Sequence, residues 1–385
     1  MLISRIILKN WRNFRKVNVP LRDRMFLVGA NASGKSNFLD VFRFLRELST
    51  TQGGGLQKAV ADRGGLTKLR CLAARKEPDI EIEVHLSNNP GDEYPSWRYQ
   101  LSFYQETRGK RQTLLRSEQV WKGQEQILLR PDADDKQDEA RLSQTHLEQI
   151  NTNKEFREVA EFFDKTTYLH LVPQLLRYSS MFPASPLEND PFGQEFLKRI
   201  ANTPEKTRNS RLEKIEKALQ VAVPKLKELK FLRDKTDSKP HLAALYEHWR
   251  PNAGWQQEDQ FSDGTLRLLG LFWSLLENDS LLLLEEPELS LNGAIVRQLP
   301  ALIFRIQRQR KRQLLLSTHS ADLLQDEGID GREVLLLQVD KEGTRISIPA
   351  ELTEVRALLD AGLSIADAVL PRTKPEQVNQ LSTFE

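Results

Sequence analysis

Residues 29–36 read Gly29-Ala30-Asn31-Ala32-Ser33-Gly34-Lys35-Ser36. The spacing is G-x-x-x-x-G-K-S, that of a loop which cradles phosphates. The apolar run before it, Met25-Phe26-Leu27-Val28, reads as a short buried strand, and the run from Asn37 to Leu45 as an amphipathic helix. Strand, glycine loop and helix are the context the motif needs, because loop amides and a helix start then face the phosphates. In that setting Gly29, Ala30, Asn31, Ala32, Ser33, Gly34 and Asn37 line a nucleoside triphosphate. Lys35 reaches its β- and γ-phosphates, and the Ser36 hydroxyl holds Mg2+. The bland alternative is a glycine turn between a strand and a helix; the flanking pattern decides against it.

The 385 residues can form one large or two medium domains. With 39% hydrophobic and 29% charged residues, the composition suits a soluble protein, and no apolar run is long enough to cross a bilayer. Met1 to Leu8 reads as a first strand rather than a cleavable signal. Cys71 is the single cysteine, which rules out an internal disulfide and a cysteine metal cluster. The expected location is the cytoplasm, away from membranes. The net charge of +2 neither demands nor excludes nucleic acid, so any basic surface must be local.

Along the chain, residues 1–28 look like two or three strands, and alternation at Ile80–Leu86 marks another. Strand-like stretches at 97–105, 112–121 and 126–129 suggest an antiparallel meander. Composition shifts near 131, after which helical patterns run over 139–164 and 190–222, with a short strand at Thr167–Leu171 between them. Residues 226–250 are ambiguous, and Pro224 interrupts the best coiled-coil candidate. The expected organisation is a composite core from 1–130 and 258–350, a mainly helical lobe at 131–257, and a C-terminal segment at 351–385.

Four further elements follow in order. Phe261-Ser262-Asp263-Gly264-Thr265-Leu266-Arg267 precedes an apolar helix, and Leu281–Leu284 runs into Glu285-Glu286-Pro287-Glu288. Leu289-Ser290-Leu291 leads to another helix, and Leu314–Ser317 ends in Thr318-His319-Ser320. An apolar strand ending in acids delivers carboxylates to a metal and to an attacking water. Glu285 supports the metal, and Glu286 polarises or deprotonates the water. His319 could contact the γ-phosphate. Ser262 and the Gly264 amide make a second anion-binding corner at a helix start, with Asp263 between them. Singly, each has an ordinary counterpart: a solvated strand end, a satisfied histidine, a helix N-cap. In this order behind a phosphate loop, coincidence is implausible.

The set resembles the ABC-type ATPase heads of the RecF, SMC and OLD group. The resemblance rests on G-A-N-x-S-G-K-S-N at 29–37, S-D-G-T-L-R at 262–267, E-E-P-E at 285–288 and T-H-S at 318–320. It covers residues 1–45 and 258–325, and the middle matches only in outline. It implies an α/β fold, a P-loop NTPase head with an antiparallel β subdomain and a helical insertion. It also implies ATP and Mg2+ as cofactors and two heads sandwiching two ATPs. Ser262 and Gly264 of one subunit would touch the γ-phosphate held by Gly29–Ser36 of the other, and Ser290 would lie in the interface loop. Two departures stand out: Glu285 where many relatives have Asp, and Asn292-Gly293 where they often have His-Pro. The Mg2+-sensing glutamine is not obvious. Gln174 is the candidate, against a plain helix-start residue, and Arg12 is a further candidate nucleotide contact.

The resemblance to OLD proteins, which carry a nuclease domain, contrasts with the roughly 65 residues after His319, too few for that domain. Nuclease action is therefore expected of a separately encoded effector. A basic cluster at Arg305, Arg308, Arg310, Lys311 and Arg312 reads as a solvated helix end or as a contact to double-stranded DNA. The favoured reading is an ATP-dependent homodimer regulating an effector, nuclease or toxin, in anti-phage defence. The alternatives are a DNA-maintenance ATPase acting directly on DNA, and an ATP-binding scaffold with little turnover.

Overall fold

The computed structural model describes residues 1–50, 53–75, 77–89, 91–106, 111–178, 190–234, 236, 238–250, 254–277 and 280–374. The alternating segments near the N-terminus form strands β1 (Leu2–Trp11) and β2 (Phe14–Pro20), and β3 (Arg24–Gly29) leads into the glycine loop. Then come β4 (Ile80–Ser87), β5 (Trp97–Gln105), β6 (Thr113–Lys122) and β7 (Glu125–Arg130). They join β1 and β2 in an antiparallel sheet of order β2-β1-β4-β5-β6-β7. Its inward face follows the period-two pattern of the sequence: Ile80, Ile82, Val84 and Leu86 are all buried.

A second sheet is built from distant segments: β8 (Thr167–Leu169), β12 (Leu282–Glu285), β13 (Leu314–Thr318), β14 (Val334–Asp340) and β15 (Gly343–Ser347). Its order is β15-β14-β3-β13-β12-β8, parallel except for β15. Continuous Leu runs are what a parallel sheet buried on both faces requires. Met25, Leu27, Leu283, Leu315 and Leu335 pack into one core with the helix Lys35–Ser49 and the antiparallel sheet. Phe26, Val28, Leu282, Leu284, Leu314 and Leu316 pack into the other. That second core is closed by helices Glu205–Ala222, Asp263–Glu277 and Leu299–Arg310.

The segment at 131–257 departs from a mainly helical lobe in three places. The pattern at 139–164 yields an α-helix only over Arg157–Asp164, preceded by short 3-10 turns. The reason is long-range: buried Glu118 accepts the amides of His146 (2.7 Å) and Leu147 (3.1 Å), which pulls that stretch out of helical pairing. β8 belongs to the parallel sheet. The ambiguous stretch at 226–250 becomes β9 (Leu226–Arg233) and β10 (Pro240–Tyr246), which with β11 (Trp255–Gln257) form an antiparallel three-stranded sheet. In the C-terminal segment, helices Thr353–Asp360 and Ile365–Val369 dock on the second core through Val355, Ile365 and Val369. Residues 375–385 of that segment, including Pro375, lie outside the described residues.

Candidate nucleotide-binding site

β3, β13 and β12 lie side by side, so the glycine loop, Thr318-His319 and Glu285-Glu286 emerge at the same end of the sheet. This is the carboxyl edge, where ligands bind in open α/β sheets. The strand with His319 lies between the other two.

The loop is held by close backbone packing. Gly34 has φ +96, and a Cβ there would stand 2.1 Å from the Asn13 amide nitrogen. Glycine is needed at Gly34 for both reasons. Asn13 donates to the Ser33 carbonyl (3.1 Å) and to Thr344 Oγ1 (2.6 Å), and Thr344 Oγ1 donates to the same carbonyl (2.8 Å). Asn37 donates to Asn13 Oδ1 (2.8 Å). The turn between β1 and β2 and the β14–β15 hairpin therefore brace the loop from the side. Asn13 and Thr344 went unread in the sequence, because their role depends on contacts 20 and 311 residues away.

Lys35 curls back onto its own loop, donating to the carbonyls of Gly29 (2.9 Å) and Ala30 (3.2 Å). Burial lowers its pKa, against the opposing pull of Glu286, Glu285 and Glu288. The Ser36 hydroxyl donates to Glu285 Oε1, and Tyr168 donates to Glu285 Oε2. Glu286 takes a left-handed conformation (φ 43), its N–H held by the Ser317 carbonyl at 3.0 Å. Strained non-glycine residues of this kind cluster at functional sites. His319 Nδ1 lies 3.0 Å from Glu286 Oε1. Behind this pair, Thr318 donates to buried Glu288, whose pKa burial pushes up.

Ser262 caps the helix Asp263–Glu277, accepting from the Thr265 N–H at 3.2 Å. A Cβ on Gly264 would stand 2.9 Å from the Ser290 carbonyl, so this corner packs on the loop after the acidic motif. The described hydrogen bonds of Ser262 and Asp263 stay on this side and do not reach the glycine loop. Gln174 joins it as well: its amide donates to Asp263 Oδ2 (3.1 Å), beside Arg177, which donates to Oδ1 (2.7 Å). A further polar group, Tyr168 of the edge strand β8, reaches the Glu285 carboxylate. The sequence flags only a tyrosine inside a short strand there.

Arg12 pairs with Asp40 of the loop helix at 2.7 Å rather than standing free. In the basic cluster, Arg312 is 2% exposed, and its guanidinium donates to the carbonyls of Ser280 (2.6 Å) and Ser274. Arg312 is thus internal structure, not a phosphate contact.

The donor set suits Mg2+, which takes a few hard oxygens from protein and completes its shell with water and phosphates. Ser36 and Glu285 supply such oxygens. Among the described residues no group of three or more His, Cys, Asp or Glu could hold a metal alone. No described helix is long and apolar enough to cross a membrane.

Residues 24–325, well over half of the chain, match the family described as "AAA domain, putative AbiEii toxin, Type IV TA system". The chain belongs to that family. A stretch of 45 residues is 49% identical to Endonuclease GajA of Bacillus cereus (strain VD045), spanning 12% of this chain and 8% of that relative. Among solved structures, the SMC head bound to the C-winged helix domain of ScpA superposes with a TM-score of 0.56. The identity is 14%, over 90% of this chain and 98% of that one. The SMC head domain from Thermotoga maritima gives a TM-score of 0.48 at 13% identity, over 90% and 99% of the two chains. The fold is therefore that of the SMC head bound to ScpA.

Proposed function

We propose that this member of the AAA family is a Mg2+-dependent ATPase whose nucleotide is closed between two copies of the chain. Its cycle controls a separately encoded nuclease or toxin in anti-phage defence. The observation that carries the first half is the convergence of Lys35, Ser36, Glu285, Glu286 and His319 at one sheet edge.

In this reading the loop amides from Gly29 to Asn37 and Lys35 bind the phosphates. Ser36 and Glu285 hold Mg2+, which when bound would neutralise phosphate charge. Glu286 accepts a proton from the attacking water, and His319, which meets Glu286 at 3.0 Å, orients that carboxylate and faces the γ-phosphate. Lys35 leaves the Gly29 and Ala30 carbonyls as phosphate oxygens replace them. Ser262 and Gly264 sit on the flank of their own subunit with Ser290, which supports their acting across a two-fold axis on the partner's nucleotide. Gln174 serves this corner through Asp263 rather than the metal.

The family's description as a type IV toxin–antitoxin component supports the effector half of the reading. So does the short match to a protein named an endonuclease. The test is affinity purification of tagged Glu286→Gln from its host with ATP and Mg2+. A stoichiometric protein with nuclease or toxin chemistry is expected. Recovery of DNA alone, sensitive to added nuclease, would replace this reading with a DNA-maintenance ATPase.

A further inference from the structure

Tyr168 belongs to none of the motifs that mark the nucleotide site, yet its hydroxyl donates to Glu285 Oε2 while Ser36 donates to Oε1 of the same carboxylate. The carboxylate is gripped from two sides by two different segments. The strand register makes this possible: β8 runs parallel to β12, with Tyr168 opposite Leu283 and Leu169 opposite Leu284. The ring is 9% exposed, and the Arg43 guanidinium lies over its face, 4.5 Å from the centroid. Arg43 comes from the helix Lys35–Ser49 that carries Ser36.

We propose that Tyr168 is a positioning residue that fixes the direction of the Glu285 carboxylate, leaving Oε1 turned to Ser36 and the metal. The inference rests on the reading of Glu285 as a Mg2+ ligand. A glutamate carries three side-chain torsions, so without a second anchor its carboxylate samples directions that miss the metal. A hydrogen bond to the non-ligating oxygen removes that freedom, and such outer partners are worth about 10–100-fold in metal affinity. The pairing also gives the length of residue 285 a purpose. An aspartate at the end of β12 would stop one methylene short and could not meet Ser36 and the phenol together. The competing account is a buried tyrosine that merely satisfies its hydroxyl.

The test is equilibrium binding of a fluorescent ATP analogue to the full chain, titrated with Mg2+ and repeated in EDTA. Tyr168→Phe keeps the ring beneath Arg43 and removes only the donor. The Mg2+ concentration for half-maximal binding is expected to rise about 10-fold, with nucleotide affinity in EDTA unchanged. Glu285→Asp should raise the Mg2+ requirement too, and adding Tyr168→Phe to it should change nothing more. Tyr168→Phe with a wild-type Mg2+ midpoint, or with its full effect preserved on the Glu285→Asp background, overturns the positioning role. Thermal melting of each chain without nucleotide shows which variants are folded at the titration temperature, and the comparison is made below the lowest of those midpoints. If Lys35→Ala bound the analogue as well as wild type did, the nucleotide reading itself would fall, and this proposal with it. A wild-type-like Tyr168→Phe removes only the proposal.

Discussion

At the residue scale, the site depends on a few positions where conformation and chemistry coincide. Gly34 is one: its left-handed backbone and the Asn13 amide 2.1 Å from a would-be Cβ leave no room for a methyl group. Gly34→Ala should destabilise the fold by about 1–3 kcal/mol through strain and abolish ATP binding, read by thermal melting with and without nucleotide. Full nucleotide-induced stabilisation of that variant would contradict this. Glu286 is another. Glu286→Gln keeps the shape but cannot take a proton, so turnover should fall about 10²–10⁴-fold while ATP affinity holds. Single-turnover kinetics beside equilibrium binding would check both halves. The loop was legible in the sequence because its information is local: two glycines, a lysine and a serine in eight consecutive residues. Tyr168 was not, since its role exists only once β8 lies beside β12, more than a hundred residues later in the chain. For Arg12 the family resemblance drew attention to the residue, and the structure ties it to Asp40.

At the scale of elements, the helix Lys35–Ser49 is anchored by charge as well as by aromatic packing. Asp40 meets Arg63 at 2.9 Å and Arg12 at 2.7 Å, and Arg63 also pairs with Glu47. Burial raises the Asp40 pKa, but Arg63, Arg12 and Arg43 outweigh it and hold the carboxyl below its ordinary value. A depressed acid contributes stability that is present above its unfolded value, about pH 4, and is lost as pH falls through the folded value. Asp40→Asn should therefore lower unfolding free energy by about 3 kcal/mol near neutrality, as breaking a buried ion pair does. The difference should shrink steadily below about pH 4. Urea unfolding of both chains across that range measures it, and a gap independent of pH would refute the assignment. The helix Asp263–Glu277 offers a different separation. Ser262→Ala removes an N-cap, typically worth about 1 kcal/mol, so the fold should survive. If the Ser262 hydroxyl also meets a γ-phosphate, turnover should drop well beyond what that loss explains. A proportionate loss of both would leave Ser262 as a cap alone. Alternation made the strands at 80–86 and 97–105 readable. The failure at 139–164 is equally physical, because Glu118 of β6 captures the amides of His146 and Leu147.

At the scale of the molecule, one parallel sheet separates two hydrophobic cores and presents one chemically equipped edge. Neighbouring leucines of the same strand serve opposite cores, Leu283 facing one and Leu284 the other. This is why the sequence shows runs there rather than alternation. The described hydrogen bonds of Ser262 and Asp263 do not reach the phosphate loop of the same chain, a layout that makes sense if each completes the other's site in a pair. Assembly should then depend on nucleotide: Glu286→Gln with ATP and Mg2+ should sediment as a dimer, and Lys35→Ala as a monomer at the same concentration. The most direct test mixes two inactive chains, Lys35→Ala and Gly264→Asp, in equal amounts. Each mixed pair would contain one intact composite site, joining the loop of the Gly264→Asp chain to the Ser262 corner of the Lys35→Ala chain. Mixed pairs, each with one intact site of two, should then restore ATPase activity, up to about half the wild-type rate when every chain is paired this way. A mixture as inactive as its components, though shown to form mixed pairs, would contradict the account.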